Sequence, residues 1–181
     1  VWGEPDRVDE TLYRLDRYIY LNQYEDYFFA TMENGRIVEI FIPGINFVYL
    51  GTEGKGTSAD IKDLDYISAV EHSGIIKSDT VEARIPLNYE GEISGLLLQP
   101  ADFSLNKNPM SVLHLSLQED LEAELVDIIQ VKRKAAGLEL VTTDGKLTSV
   151  ARAHSEDMVK NSYFDYNSPD GTCLLYTSPS P

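Results

Sequence analysis

The chain has 181 residues, 43% of them hydrophobic, which is enough for a globular core in one ordinary domain or two small ones and excludes disorder by composition. Acidic residues outnumber basic ones by 30 to 15, for a formal net charge of −15, with the acidic excess on both sides of Ser116. A balance of that sign lacks the basic stripe that phosphate backbones and anionic lipid surfaces require, so nucleic acid is excluded as a partner.

The first strands are aromatic. Residues 17–20 (RYIY) and 27–32 (YFFATM) carry the β-branched and aromatic types that strands favour, and Asn34-Gly35 is the pair a type I′ turn demands. With 36–42 (RIVEIFI) they predict a three-stranded antiparallel meander. Gly51, Gly54 and Gly56 surround Lys55, but only two residues separate Gly51 from Gly54 and Gly56 stands where a phosphate loop needs Ser or Thr. A flexible turn is the reading. Ser58 is placed to cap a helix running to about His72, with Ile61, Leu64, Ile67 and Val70 on one face and Gly74 as its stop. A second hairpin is predicted from 81–87 and 93–99, followed by an aperiodic linker with Pro100, Asn106, Asn108 and Pro109. His72 and His114 have no companion at ligand spacing and read as ordinary surface or boundary residues.

Ser116 and Glu119 form a capping-box pattern at the start of a helix whose apolar stripe is Leu117, Leu121, Leu125, Ile128 and Ile129. Lys132, Arg133 and Lys134 face the negative end of its dipole, and Gly137 ends it. Asp144 is placed to cap a second helix, with Leu147, Ala151, His154 and Met158 along one face. On that face His154 reads first as a hydrogen-bonded histidine anchoring the loop that follows, and second as a ligand contact. Residues 165–171 miss calcium-loop spacing, because Asp170 and Gly171 fall one place late; Pro169, Asp170 and Gly171 read as a turn. Nothing marks an exposed nucleophile elbow, so no Ser/His/Asp triad is assembled and no catalytic residue is assigned. The single cysteine, Cys173, allows no disulfide, and no window reaches the ~18 apolar residues of a membrane-spanning helix.

Gln130, Arg133, Gly137 and Leu138, then Ala151, His154, Ser155, Asp157 and Met158, then Tyr163, Phe164, Ser168, Pro169, Asp170 and Gly171 together resemble the opening of a bacterial CAP domain (SCP-like, pathogenesis-related-protein-like). Ahead of them, Gly3, Pro5 and Arg7, the tyrosines Tyr18, Tyr20, Tyr24 and Tyr27, and the 34–38 turn resemble the CAP-associated domain that precedes some bacterial CAP domains. The resemblance implies an α+β chain: a small N-terminal antiparallel-sheet-plus-helix domain (1–100), a linker (101–115), and the first two helices of an incomplete α-β-α CAP sandwich (116–172). Residues 173–181 (CLLYTSPSP) read as a translated sequencing adapter, and the chain is expected to be a fragment open at both ends.

By the same resemblance His154 and Tyr166 are the cavity candidates, while Arg133, Gly137, Ser155, Asp157, Met158, Pro169, Asp170 and Gly171 are structural motif positions. The family cavity gathers two histidines and two acids able to hold a divalent cation such as zinc. Here Tyr166 stands in for the first histidine, and a phenol ionises only near pH 10, so no metal ligand or cofactor is assigned. The implied function is a secreted or cell-envelope binding scaffold with an accessory N-terminal domain, acting on an extracellular or cell-wall ligand, lipid or protein. Two alternatives stand beside it, a metal-dependent hydrolase using the cavity and an N-terminal regulatory or assembly module.

Overall fold

The computed structural model describes residues 3–44, 73–88, 90–103, 109–110 and 114–174, together with the backbone of 48–49, 52–53 and 65–68. It divides into two compact units, 1–139 and 140–181. The fold class is α+β: strands β1 (Arg7–Glu10), β2 (Asp16–Tyr20), β3 (Phe28–Glu33), β4 (Arg36–Pro43), β5 (Val48–Tyr49), β6 (Thr52–Glu53), β7 (Asp65–Ser68), β8 (Ser73–Lys77), β9 (Val81–Pro86) and β10 (Gly95–Pro100) precede helices α1 (Leu115–Ala135) and α2 (Gly145–Asn161).

Eight described strands form one antiparallel sheet in the order β1-β2-β3-β4-β10-β9-β8-β7, and β5 pairs only with β6. The expected meander is β2-β3-β4, turned at Asn34 (φ 50) and Gly35 (φ 76), two successive positive values as a type I′ turn requires. The expected second hairpin is β9-β10. The expected helix is the departure in this part of the chain. Residues 65–68 form β7 and Gly74 lies inside β8, so the helix predicted over 58–72 is replaced there by a strand; the rest of that prediction, with His72 and the 54–56 glycines, lies outside the described residues. The partner decides this outcome: β8 begins with four buried residues, and Tyr66 and Ile67 are strand-prone types once such an edge is available.

The register separates two cores onto the two faces of the sheet. Ile19, Phe29 and Phe41 are successive cross-strand partners and pack with Tyr27 and Val131. The neighbouring row, Ala30, Ile40, Leu98, Ala83 and Ile76, points the other way, and its members Leu98, Ala83 and Ile76 join Ile85, Leu87, Ile93 and Leu96 in the second cluster.

The face of the sheet that meets α1 is as much ionic as apolar. Arg7 donates to both oxygens of Asp9 (2.6 and 2.8 Å) and to Asp127 of α1 (2.7 Å). Arg17 donates to Glu39 (2.9 Å) and to Glu124 of α1 (2.6 Å), with its guanidinium 4.0 Å from the centre of the Phe29 ring. Asp120 accepts from the backbone N–H of Glu10 at 2.8 Å. The buried face of α1 is therefore Leu117, Asp127, Gln130 and Val131, flanked by Asp120 and Glu124, whereas Leu125 (62% exposed) and Ile129 (42%) of the expected stripe face away from it. Salt partners waiting on the sheet reverse the usual preference for burying the apolar side.

The start of α1 also differs from expectation. His114, not Ser116, is the N-cap: its Nδ1 accepts from the backbone N–H of Leu117 at 3.2 Å, and its Nε2 lies 3.0 Å from Glu10. His114 is thus a helix cap tied to β1 rather than an incidental surface residue. At the other end Gly137 (φ 68) closes a Schellman motif, with Leu138 N–H bonded to Arg133 O (2.9 Å) and Gly137 N–H to Lys134 O (3.0 Å). Arg133 Nε then donates to Glu139 O at 2.7 Å, fixing the exit of the chain.

Candidate functional site

The second unit is built around α2. Asp144 caps it as expected, accepting from the N–H groups of Lys146 (2.8 Å) and Leu147 (3.1 Å). Its last turn closes on Ser162 in the left-handed conformation (φ 54, ψ 48), with Tyr163 N–H bonded to Met158 O at 3.1 Å, so the chain reverses without a glycine. The following loop folds on itself through a bridge between Asn167 and Cys173, a bond from Leu174 N–H to Tyr166 O (2.9 Å), and one from Gly171 N–H (φ 87) to Ser168 O (2.8 Å). Asp170 Oδ1 accepts from Thr172 N–H at 2.8 Å, which holds its carboxyl below the usual carboxylate range. The 168–171 stretch is the turn read from Pro169, Asp170 and Gly171.

Two side-chain anchors join loop to helix. His154 Nε2 lies 2.8 Å from the carbonyl oxygen of Asp165, and because a carbonyl only accepts, Nε2 carries the proton. In the neutral ring Nδ1 then keeps the lone pair. The Tyr163 hydroxyl donates to Asp157 Oδ2 at 2.6 Å and lies 2.9 Å from Ser168 Oγ, while Asn161 donates to Asp157 Oδ1 at 2.7 Å. The bond from Tyr163 holds the Asp157 carboxyl below its ordinary value; desolvation and that same bond push the Tyr163 phenol up. The Tyr163 ring meets the His154 ring edge-on at 5.9 Å.

Between helix and loop lies a cavity of about 410 Å3 whose walls include His154, Ser155, Met158, Phe164, Tyr166 and Leu174. The two cavity candidates therefore share one space, as does Met158. Asp157, Pro169, Asp170 and Gly171 support the loop without lining that space, and Arg133 and Gly137 belong to the end of α1 in the first unit. Tyr166 is 68% exposed and Phe164 95% exposed, so the cavity opens directly to the surface. Phe164, Ala151 and Leu174 were not singled out as lining residues; Ala151, Ser155 and Met158 stand at helical spacing on one face of α2, and that was the available signal. Leu174 carries none, because it falls in the 173–181 stretch that reads as a translated adapter.

The arrangement does not activate a nucleophile. The Ser155 hydroxyl donates to Ala151 O at 3.0 Å and His154 has its Nε2 proton on a carbonyl, so serine and imidazole are each bonded to backbone. Among the described residues no group of three or more His, Cys, Asp or Glu side chains converges at metal-binding distance. The donors on this lining are the His154 imidazole, the Asp165 carboxyl, whose Oδ1 already accepts from Asn167 N–H at 2.8 Å, and the Tyr166 phenol, which falls short of the four nitrogen, sulfur or carboxylate ligands a zinc ion takes.

No protein-family profile matches the chain. It is 22% identical over 203 residues to a curated Bacillus subtilis protein called uncharacterized membrane protein YlbC, covering 91% of this chain and 58% of that one; the chain thus spans under two thirds of that relative. Among solved structures, an extracellular protein containing an SCP domain from Bacillus anthracis superimposes with a TM-score of 0.78 at 18% identity, covering 96% of this chain and 68% of the other. A cysteine-rich secretory protein from Staphylococcus aureus gives a TM-score of 0.67 at 14% identity, with 89% and 64% covered.

Proposed function

We propose that this chain, whose fold is the SCP-like fold of the CAP superfamily, is part of a bacterial extracellular or envelope-facing binding scaffold, with residues 1–100 as its accessory domain. The observation that carries binding over turnover is the hydrogen bonding around the α2 cavity: Ser155 and His154 are each bonded to backbone and the Asp165 carboxyl accepts from Asn167 N–H, so the cavity offers shape, apolar lining and hydrogen-bonding groups rather than an activated nucleophile. Such a space suits a ligand with an apolar body and one hydrogen-bonding group, a description that fits a lipid better than a sugar or a nucleotide.

In architecture, α1 and α2 are taken as the opening helices of a CAP α-β-α sandwich, with 1–100 as the associated domain and 101–115 as linker, a division supported by the motif residues from Gly137 through Gly171. The location is supported by the descriptions of the B. anthracis and S. aureus structures as extracellular and secretory, and an envelope-facing site accommodates the membrane description of the B. subtilis relative as well. Among the described residues no helix is long and apolar enough to cross a membrane.

Two measurements test this reading. Fractionation of producing cells is expected to recover the chain outside the cytoplasm, and cytoplasmic recovery contradicts it. Purified protein is expected to turn over neither ester nor peptide substrates, before or after chelation; chelator-sensitive hydrolysis would replace the scaffold by a metal-dependent hydrolase.

A further inference from the structure

A second and larger cavity, of about 920 Å3, lies within the first unit where β2 ends, β3 begins and β4 ends. None of the CAP-like motif residues lines it, and it stands independently of the function proposed for the α2 cavity. Its walls are aromatic. Tyr20 and Phe28 are cross-strand partners whose rings stack with centroids 4.5 Å apart and 8° between planes. Tyr24 and Tyr27 form a second pair at 6.5 Å and 21°. The Tyr24 ring is fixed at both ends, by a hydroxyl bond to Asp127 (3.1 Å) and by a backbone run, Asn22, Gln23 and Tyr24, with φ of 36, 54 and 62. Three consecutive non-glycine residues in the left-handed region are strained, and such strain collects at ligand sites. Tyr27, 2% exposed, has a hydroxyl with no hydrogen-bond partner among the described residues.

The rim of the same cavity is acidic. Asp6 spends one oxygen on Leu21 N–H (2.8 Å) and Asp26 spends one on Asn22 Nδ2 (2.9 Å), so each keeps a second, and Glu4 is exposed with no bond among the described residues. A cation already docks at this rim: the Lys134 ammonium lies 3.1 Å from Glu25. Aromatic faces carry negative quadrupole potential, and carboxylates around them exclude anions while offering neutral molecules nothing extra. A positively charged group is favoured by both at once.

We propose that this cleft binds an organic ammonium ion, with the stacked pair Tyr20 and Phe28 supplying the cation–π surface and Glu4, Asp6 and Asp26 the counter-charge. The ammonium comes either from a small quaternary amine or from a lysine side chain of a peptide. The test is an NMR titration of the full chain with choline, with the uncharged carbon isostere of choline, and with a glycine-lysine-glycine amide, following the backbone amides of 20–28. Saturable shifts confined to those amides are expected with choline or the lysine peptide, the tighter of the two identifying the source, and with the isostere about tenfold weaker. Tyr20→Leu is expected to weaken the cation about tenfold. The exposed double change Glu4→Gln with Asp26→Asn is expected to weaken it about threefold and to flatten its salt dependence. Equal affinity for choline and its isostere, shifts scattered over the acidic surface, or absence of saturation with both cations overturns the proposal. Should Tyr20→Leu fail to fold, unchanged affinity in the double variant overturns it equally.

Discussion

Arg7 is gripped by Asp9 through two bonds and by Asp127 through a third, and hydrogen bonding to Asp9, opposed by burial and reinforced by Asp127, holds its proton more firmly than usual. Asp127, with a side chain 3% exposed, also accepts the Tyr24 hydroxyl. Removing one partner of such a buried group strands the other, so Asp127→Ala is expected to cost about 3 kcal/mol in urea unfolding of the first unit, and a loss below about 1 kcal/mol would contradict the role given to this pair. Glu124 behaves differently. Burial raises its pKa despite the opposing charge of Arg17, and its Oε1 has no partner among the described residues. Because the folded-state value is the higher one, Glu124 favours the fold most below its unfolded pKa of about 4.3, and that contribution is lost as pH rises through the folded value. Glu124→Gln is therefore expected to be more stable than wild type at pH 7, with the gap closing as pH falls toward 4; a gap that widens on acidification would contradict the sign. Arg7 was legible in the sequence as part of a Gly-x-Pro-x-Arg motif, but its partner lies 120 residues away, and no local pattern reports a pair of that separation.

At the scale of elements, legibility followed the kind of face each element buries. The meander and the second hairpin bury apolar rows, so alternation and turn chemistry reveal them. Strand β1 was missed because its inward side chains are Arg7 and Asp9, and charge on the buried face leaves no hydrophobic period to find. Helix α1 was found, and Leu117 and Ile128 of its expected stripe go inward, but Asp127 and Gln130 go in beside them while Leu125 and Ile129 stay out. The boundaries of α2 were clearer, since Asp144 makes the bonds of an N-cap, but its left-handed terminus falls on Ser162, a residue that does not announce one. Glycine adopts that conformation without the Cβ penalty, so Ser162→Gly is expected to stabilise the end of α2 by about 1 kcal/mol, seen as roughly fivefold slower amide exchange over 157–161. Faster exchange would show that the serine contributes more than its backbone geometry costs.

For the whole molecule, the α+β class was legible, and the fold is one that the Bacillus anthracis structure shares over 96% of the chain; a dense run of motif residues between Gly137 and Gly171 carries the resemblance stated from the sequence. Compactness draws its line at Glu139, grouping α1 with the sheet, whereas the motif places α1 with α2; the ionic contacts of Arg7 and Arg17 explain the grouping by compactness, and they are invisible to a motif. His154 and Tyr166 line one cavity, and the sequence said nothing of the Phe164 and Leu174 walls that make the space apolar. The central claim is that this space binds an apolar ligand. Its most direct test is titration of a dansyl-labelled fatty acid into the chain and into Met158→Asp, which places a charge in the cavity wall. Saturable fluorescence enhancement with the wild-type chain, lost in Met158→Asp while the far-ultraviolet dichroism of the two proteins coincides, is the expected result; equal enhancement in both, or none in the wild type, would contradict the account.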